Sequence, residues 1–169
     1  VCFIKKTKGD RFMNKKIMYI ITILSTAVLL FLDQIAKYLA VLHLKGQAAI
    51  PIIKNVFELQ YLENQGAAFG IMQGKKTFFV IGTLIFLVIV VILYHNIPLT
   101  KRFTPIRIVA VLIVAGAIGN MIDRVVHQYV IDFFYFKLIN FPIFNVADIY
   151  VVVACILFIL LMLFYYKEA

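Results

Sequence analysis

Two cysteines and three histidines are all the thiol and imidazole metal ligands in this chain of 169 residues. Cys2 lies in a polar N-terminal tail and Cys155 inside an apolar run, so there is no CxxC and no disulfide framework. His43, His95 and His127 each lie more than four residues from another His or a Cys, and no HExxH occurs. That spacing argues against zinc, and no metal or other cofactor is expected. Acid is scarce as well, with 8 Asp and Glu against 17 Lys and Arg, for a net charge of +9. In a soluble protein such a balance would suggest nucleic acid. Here there is no RNA-binding signature and no basic stripe interleaved with aromatics on a polar face, so no nucleic-acid partner is expected. No internal repeat and no low-complexity segment is present.

What the chain has in abundance is apolar surface. Hydrophobic residues make up 64% of it, well above the half or so of soluble domains, which points to a membrane protein. The basic residues sit outside the apolar runs and read as anchors facing anionic membrane lipid.

Four runs are long enough to cross a hydrocarbon core of ~30 Å as helices. The first covers residues 17–42. Its first sixteen residues carry no charge, so to span it must continue through Asp33 and Lys37. These two are spaced i, i+4 with the acid first, as a neutralised pair on one helix face would be. The run is longer than a signal-peptide core, and no small-residue cleavage site precedes the charges, so a retained helix is expected. The second span, 77–95, is uncharged. The third, 106–124, carries Ala115 and Gly119 at a spacing that lets helices approach closely. It ends in Asn120, Asp123 and Arg124, which can face one way. The fourth runs from about 145 to 166, with Asn145 placed as N-cap and Asp148 in the first turn.

The connections are less regular. In 43–76, Phe57 to Tyr61 alternates apolar and polar residues and reads as a half-buried strand. It leads into Asn64-Gln65-Gly66-Ala67-Ala68-Phe69-Gly70, which is either an ordinary turn or a place where backbone passes close to another surface. Residues 96–105 form a short basic turn. Residues 125–144 read as an aromatic-rich interfacial connection. Residues 1–16 form a basic tail; the first twelve read as an upstream extension, with Met13 as an alternative start.

With four spans, both termini share a side. The tail, the 96–107 connection and the C-terminus carry ten Lys and Arg, the other two connections five. Both termini are therefore expected in the cytoplasm. Asp33, Asp123, Asp132 and Asp148 then all fall at one depth, on the outer side. Unpaired charge there is costly, and convergence at one level suits a shared site better than a proton path across the bilayer. Asp33 has Lys37 one turn away and Asp123 has Arg124 beside it. Asp132 and Asp148 have no cation within four residues. If these two meet, they must share one proton, as in an aspartic protease. Acids of this kind also serve transport and structure, so a small carrier and a non-catalytic assembly factor remain alternatives on the residues alone.

Five motifs in order narrow the choice. Asp33-Gln34 with Lys37, Asn64-x-Gly66-Ala67-Ala68-Phe69, Gly119-Asn120-x-x-Asp123-Arg124, Val130-Ile131-Asp132-Phe133 and Phe144-Asn145-x-Ala147-Asp148 together resemble the lipoprotein signal peptidase (signal peptidase II) family. The resemblance implies a bacterial inner-membrane aspartyl endopeptidase, sensitive to globomycin, that cuts prolipoproteins just before a diacylglyceryl-modified cysteine. By motif it makes Asp132 and Asp148 the catalytic pair and Asn64, Asn120, Arg124 and Asn145 substrate-binding residues. Asp33, Lys37, Gly66, Asp123 and Ala147 become supporting residues. The implied architecture is mainly α: a basic cytoplasmic tail over 1–16, then one four-helix transmembrane peptidase domain over 17–169. A small extracytoplasmic sheet cradles the substrate between helices 1 and 2, near 43–73. The implied partners are lipidated prolipoproteins and membrane lipid, with the enzyme a monomer.

Overall fold

The computed structural model describes residues 14–66 and 76–167. The basic tail before Asn14, Ala67, Ala68 and Phe69 of the second motif, and the Gly70 that follows it lie outside the described residues.

Among the described residues, four helices are long and apolar enough to cross a membrane. Helix α1 spans Lys15–Leu44, α2 Lys76–His95, α3 Thr104–Val126 and α4 Val146–Leu160, the last continuing as a π-helical turn through Tyr165. The expected spans lie within a few residues of these bounds. Helix α1 starts at Asn14, whose Oδ1 accepts the N–H groups of Lys16 (3.0 Å) and Ile17 (3.4 Å), as an N-cap should. At 30 residues it is about 45 Å long, half as long again as a hydrocarbon core. Its last turns pack on Ile131 and Phe133. They bury Asp33, Lys37, Ala40 and Leu44, one stripe at helical spacing.

Helix α3 is the centre of the bundle, packing on α1, α2 and α4. Its small residues allow this. A Cβ on Gly116 would lie 2.5 Å from the carbonyl oxygen of Ala147 in α4, and one on Gly119 would lie 2.6 Å from Asp33 Oδ2 in α1. Helices α2 and α4 have no substantial packing on each other, and most of their side chains are exposed apolar residues that suit lipid.

A three-stranded antiparallel sheet stands beyond one end of the bundle, in the order β1 (Ile50–Ile53), β2 (Phe57–Asn64), β3 (Val130–Phe136). The first two strands form the expected sheet between α1 and α2. The third comes from the 125–144 connection, which is not irregular as expected. Val130 to Phe133 are all buried, so this strand shows no polar alternation to announce it. Its inner residues Ile131 and Phe133 form a core with Ala40 and Leu44 at the end of α1. The polar side of β2 also departs from expectation: Glu58 is buried rather than solvated, and pairs with Lys137 Nζ at 3.1 Å.

The return from β3 to α4 is a folded hook. A 3-10 turn at Lys137–Ile139 leads to Asn140 in the left-handed region (φ 47°). The chain then runs back antiparallel. Phe144 N–H donates to Phe134 O (3.0 Å), and Phe144 O accepts from the N–H groups of Phe133 and Phe134 (3.0 and 2.8 Å). Rings of Phe134, Phe136 and Phe141 pack against Phe144. The hook sets Asn145 beside Asp132.

Candidate active site

Asp132 sits in the middle of β3, only 2% exposed. The neighbouring strand supplies its first partner. Asn64 pairs in register with Val130, so its side chain is a diagonal neighbour of Asp132 on the same face. Asn64 Nδ2 donates to Asp132 Oδ2 at 2.9 Å. Asn145 Nδ2 donates to the other oxygen, Oδ1, at 2.7 Å.

Asp148 is held by the start of α4. Its backbone N–H donates to Asn145 Oδ1 (3.0 Å), and its Oδ2 accepts the backbone N–H of Asn145 (3.0 Å). This is a reciprocal capping box. Asn120 Nδ2 of α3 donates to Oδ1 at 2.8 Å. The cap expected at Asn145 is therefore present, and it leaves the acid at the same place. Asn145 is fully buried and touches both aspartates.

The three asparagines share one arrangement. In each, N–H donors fix the amide oxygen, so the NH2 group is turned to a carboxylate. Gly66 N–H donates to Asn64 Oδ1 (3.0 Å). Asp148 N–H fixes Asn145. Lys37 Nζ and Asn145 Nδ2, both at 3.0 Å, fix Asn120 Oδ1. Arg124 reaches the opposite way, donating from Nη2 to Gly66 O (3.2 Å) and from Nη1 to Asn120 O (3.3 Å), with Phe79 of α2 under its guanidinium.

The supporting acids form a second cluster behind this one. Lys37 Nζ lies 2.9 Å from Asp33 Oδ2 and 3.0 Å from Asp123 Oδ2, all three groups being buried. The partner expected for Asp123 was Arg124, and that is corrected. Adjacent residues on a helix point about 100° apart, a consequence of 3.6 residues per turn. Asp123 turns to α1 while Arg124 turns to the loop after β2. Asp33 Oδ1 accepts the N–H of Ala147 (2.9 Å), and Asp123 Oδ2 accepts the N–H of Ile131 (3.1 Å). Gln34 donates to both acids, at 3.1 and 3.2 Å. In the sequence it is part of a motif without a role of its own, because neither acid's position relative to it is visible there. Ala147, fully buried, fits against Gly119.

Burial dominates the electrostatics of Asp132. It pushes the carboxyl up to about 7, with the nearby Asp148 charge acting in the same direction and the two asparagine donors and Lys37 opposing it. Among the described residues, no group of three or more His, Cys, Asp or Glu is arranged to hold a metal ion.

The aspartates form part of the wall of a cleft of about 730 Å³. Its walls include Thr83 of α2, Gly116 and Ala117 of α3, Val152 of α4 and Phe141 and Pro142 of the hook. Polar groups converge at one end of a mostly apolar slot, the usual form of a ligand site. Fold and cleft together define a multi-pass membrane protein with a polar site at one end of a mostly apolar cleft along its helices.

Known proteins narrow that class. Residues 25–164 match the family described as signal peptidase (SPase) II. The lipoprotein signal peptidase of Caldanaerobacter subterraneus subsp. tengcongensis is 44% identical over 143 residues, 84% of this chain and 95% of the relative. That of Clostridioides difficile is 40% identical over 154 residues, 90% and 99%. A bacterial membrane enzyme solved by the in meso method at 2.3 Å superposes with a TM-score of 0.80 at 29% identity, over 95% of each chain. A second, solved at 1.9 Å, gives 0.76 at 30% identity, over 94% of this chain and 99% of the other. The chain belongs to the signal peptidase II family. It is thus a membrane-spanning peptidase, a hydrolase of the kind that removes signal peptides in lipoprotein maturation.

Proposed function

We propose that Asp132 and Asp148 are the catalytic pair of an aspartyl endopeptidase that cuts diacylglyceryl-modified prolipoproteins just before the lipidated cysteine. The observation that carries this reading is Asn145. Its amide donates to Asp132 Oδ1 at 2.7 Å and its backbone N–H to Asp148 Oδ2 at 3.0 Å. One residue thus fixes two carboxylates from different elements at the wall of one cleft.

The chemistry needs only the pair and water. One carboxylate takes a proton from water as the water oxygen bonds to the scissile carbonyl carbon. The other, protonated, gives its proton to the carbonyl oxygen. The resulting diol collapses as the first acid returns its proton to the departing cysteine nitrogen. The C–N bond breaks, and a diol hydroxyl restores the proton of the second acid. Asn64, Asn120, Arg124 and Asn145 hold the pair and the extended backbone, whose polar groups would otherwise lack partners in lipid. Phe136, Phe141 and Phe144 shield the site from bulk water.

The enzyme works as a monomer in the bacterial cytoplasmic membrane, with a single peptidase domain over 17–169. Both termini are cytoplasmic and the aspartates lie at the outer face, where the cut site of a lipid-anchored precursor arrives. The test is cleavage of purified lipidated precursor by Asp132→Asn and Asp148→Asn. Each should insert and fold yet lose cleavage; near-normal turnover by either refutes the pairing.

A further inference from the structure

The mechanism above makes no use of the buried charge of Lys37. Lys37 is 1% exposed, and an ammonium has three N–H donors. Two go to Asp33 Oδ2 (2.9 Å) and Asp123 Oδ2 (3.0 Å). Neutralising those acids needs no more. The third goes to Asn120 Oδ1 at 3.0 Å, and the same amide donates from Nδ2 to Asp148 Oδ1 at 2.8 Å.

A primary amide is a dipole with its positive end at the NH2 group. A cation on its oxygen does two things. It forbids the flipped orientation, which would set the NH2 group against the ammonium. It also draws electron density from the amide nitrogen, making those N–H groups stronger donors. Asn120 therefore passes the charge of Lys37 to Asp148, two hydrogen bonds away. Asp148 has further support as an anion: it is less buried than Asp132, and it sits in the first turn of α4, where the helix dipole favours negative charge.

Resting on the reading of Asp132 and Asp148 as the catalytic pair, we propose that Lys37 is a positioning residue. Through Asn120 it keeps Asp148 the ionised member of the pair, the base that takes the proton from water, and leaves the shared proton on Asp132.

The charged groups around Asp148 come from three elements. Helix α1 supplies Lys37 and Asp33, α3 supplies Asp123 and Arg124, and β3 supplies Asp132. The Lys37 cluster, one cation with two acids, carries a net negative charge. Removing its cation and removing one of its acids must then act on Asp148 in opposite directions. A role confined to folding would push both changes the same way.

The experiment is kcat/KM against pH for cleavage of lipidated precursor, in the full chain. Its acid limb reports the first ionisation of the pair. In Lys37→Gln, which keeps an N–H donor but no charge, the limb should move up by about one pH unit, the size of effect expected for a unit charge two hydrogen bonds away. In Asp123→Asn, where Lys37 is less neutralised, it should move down. In Lys37→Arg, which keeps the charge, it should stay near the parent. Limbs that move together, or stay put in both of the first two variants, overturn the proposal. If Lys37→Gln fails to fold, Asp123→Asn decides alone, and an unmoved or raised limb overturns it. Asp132→Asn and Asp148→Asn, run alongside, keep the two ideas apart. Their inactivity with unshifted limbs sinks only the role of Lys37, whereas activity in either sinks the pair.

Discussion

Asp132→Asn should end cleavage and, above neutral pH, make the protein harder to unfold. The carboxyl of Asp132 is pushed from 3.8 to about 7 by burial and by Asp148. Between those values the native protein holds a proton that the unfolded chain has released. Stability therefore falls as pH rises across that window and is flat outside it. A rise of roughly three units, at 1.36 kcal/mol each, amounts to about 4 kcal/mol at pH 8. Asparagine cannot ionise and escapes that loss. It keeps an acceptor for Asn145 but meets the NH2 group of Asn64 with its own, which forfeits one hydrogen bond worth about 1 kcal/mol. The variant should thus be about 1 kcal/mol less stable than the parent at acid pH and about 3 kcal/mol more stable at pH 8, on the order of the shift itself. Thermal unfolding in detergent micelles at the two pH values reads the difference, and the precursor assay confirms lost turnover. A variant weakened equally at both would refute the view of Asp132 as a carboxylate destabilised by burial.

Three further outcomes follow from the same geometry. The parent enzyme should lose kcat/KM as pH rises above about 7, as the protonated member of the pair disappears; a profile level to pH 9 would contradict a shared proton. Gly116→Ala should destabilise the protein by about 2 kcal/mol or more, because the new methyl meets the fixed backbone oxygen of Ala147 rather than a movable side chain; unchanged unfolding would deny the close contact of α3 with α4. Cleavage should survive a chelator, since the sequence has no His or Cys cluster; inactivation reversed by a divalent ion would contradict that.

Much of the fold is legible in the sequence where a single period governs. Long uncharged runs mark the spans. The i, i+4 spacing shows Asp33 with Lys37, now seen at 2.9 Å. Asn145 before an apolar run shows the cap. What stays hidden depends on contacts between distant segments. Strand β3 has no alternation because Val130 to Phe133 are buried together. Glu58 looks solvated until Lys137, far along the chain, covers it. The partner of Asp123 cannot be read from its neighbour Arg124, because the helix turns the two apart and Lys37 comes from another helix. The four acids lie close together, but they divide into two clusters that only packing separates.

Helices α2 and α4 have no substantial packing on each other, and the cleft lies on α3 between them. A membrane bundle with one side unfilled has lipid tails for its missing wall. Under the proposed function, the signal peptide of the substrate would be that wall, a transient fifth helix that completes the packing while its bond is cut. After cleavage, the freed peptide and the anchored protein could both drift away in the plane of the bilayer, with no passage through the aqueous face. Release would then depend on how readily lipid reclaims the slot, and so on the fluidity of the surrounding membrane.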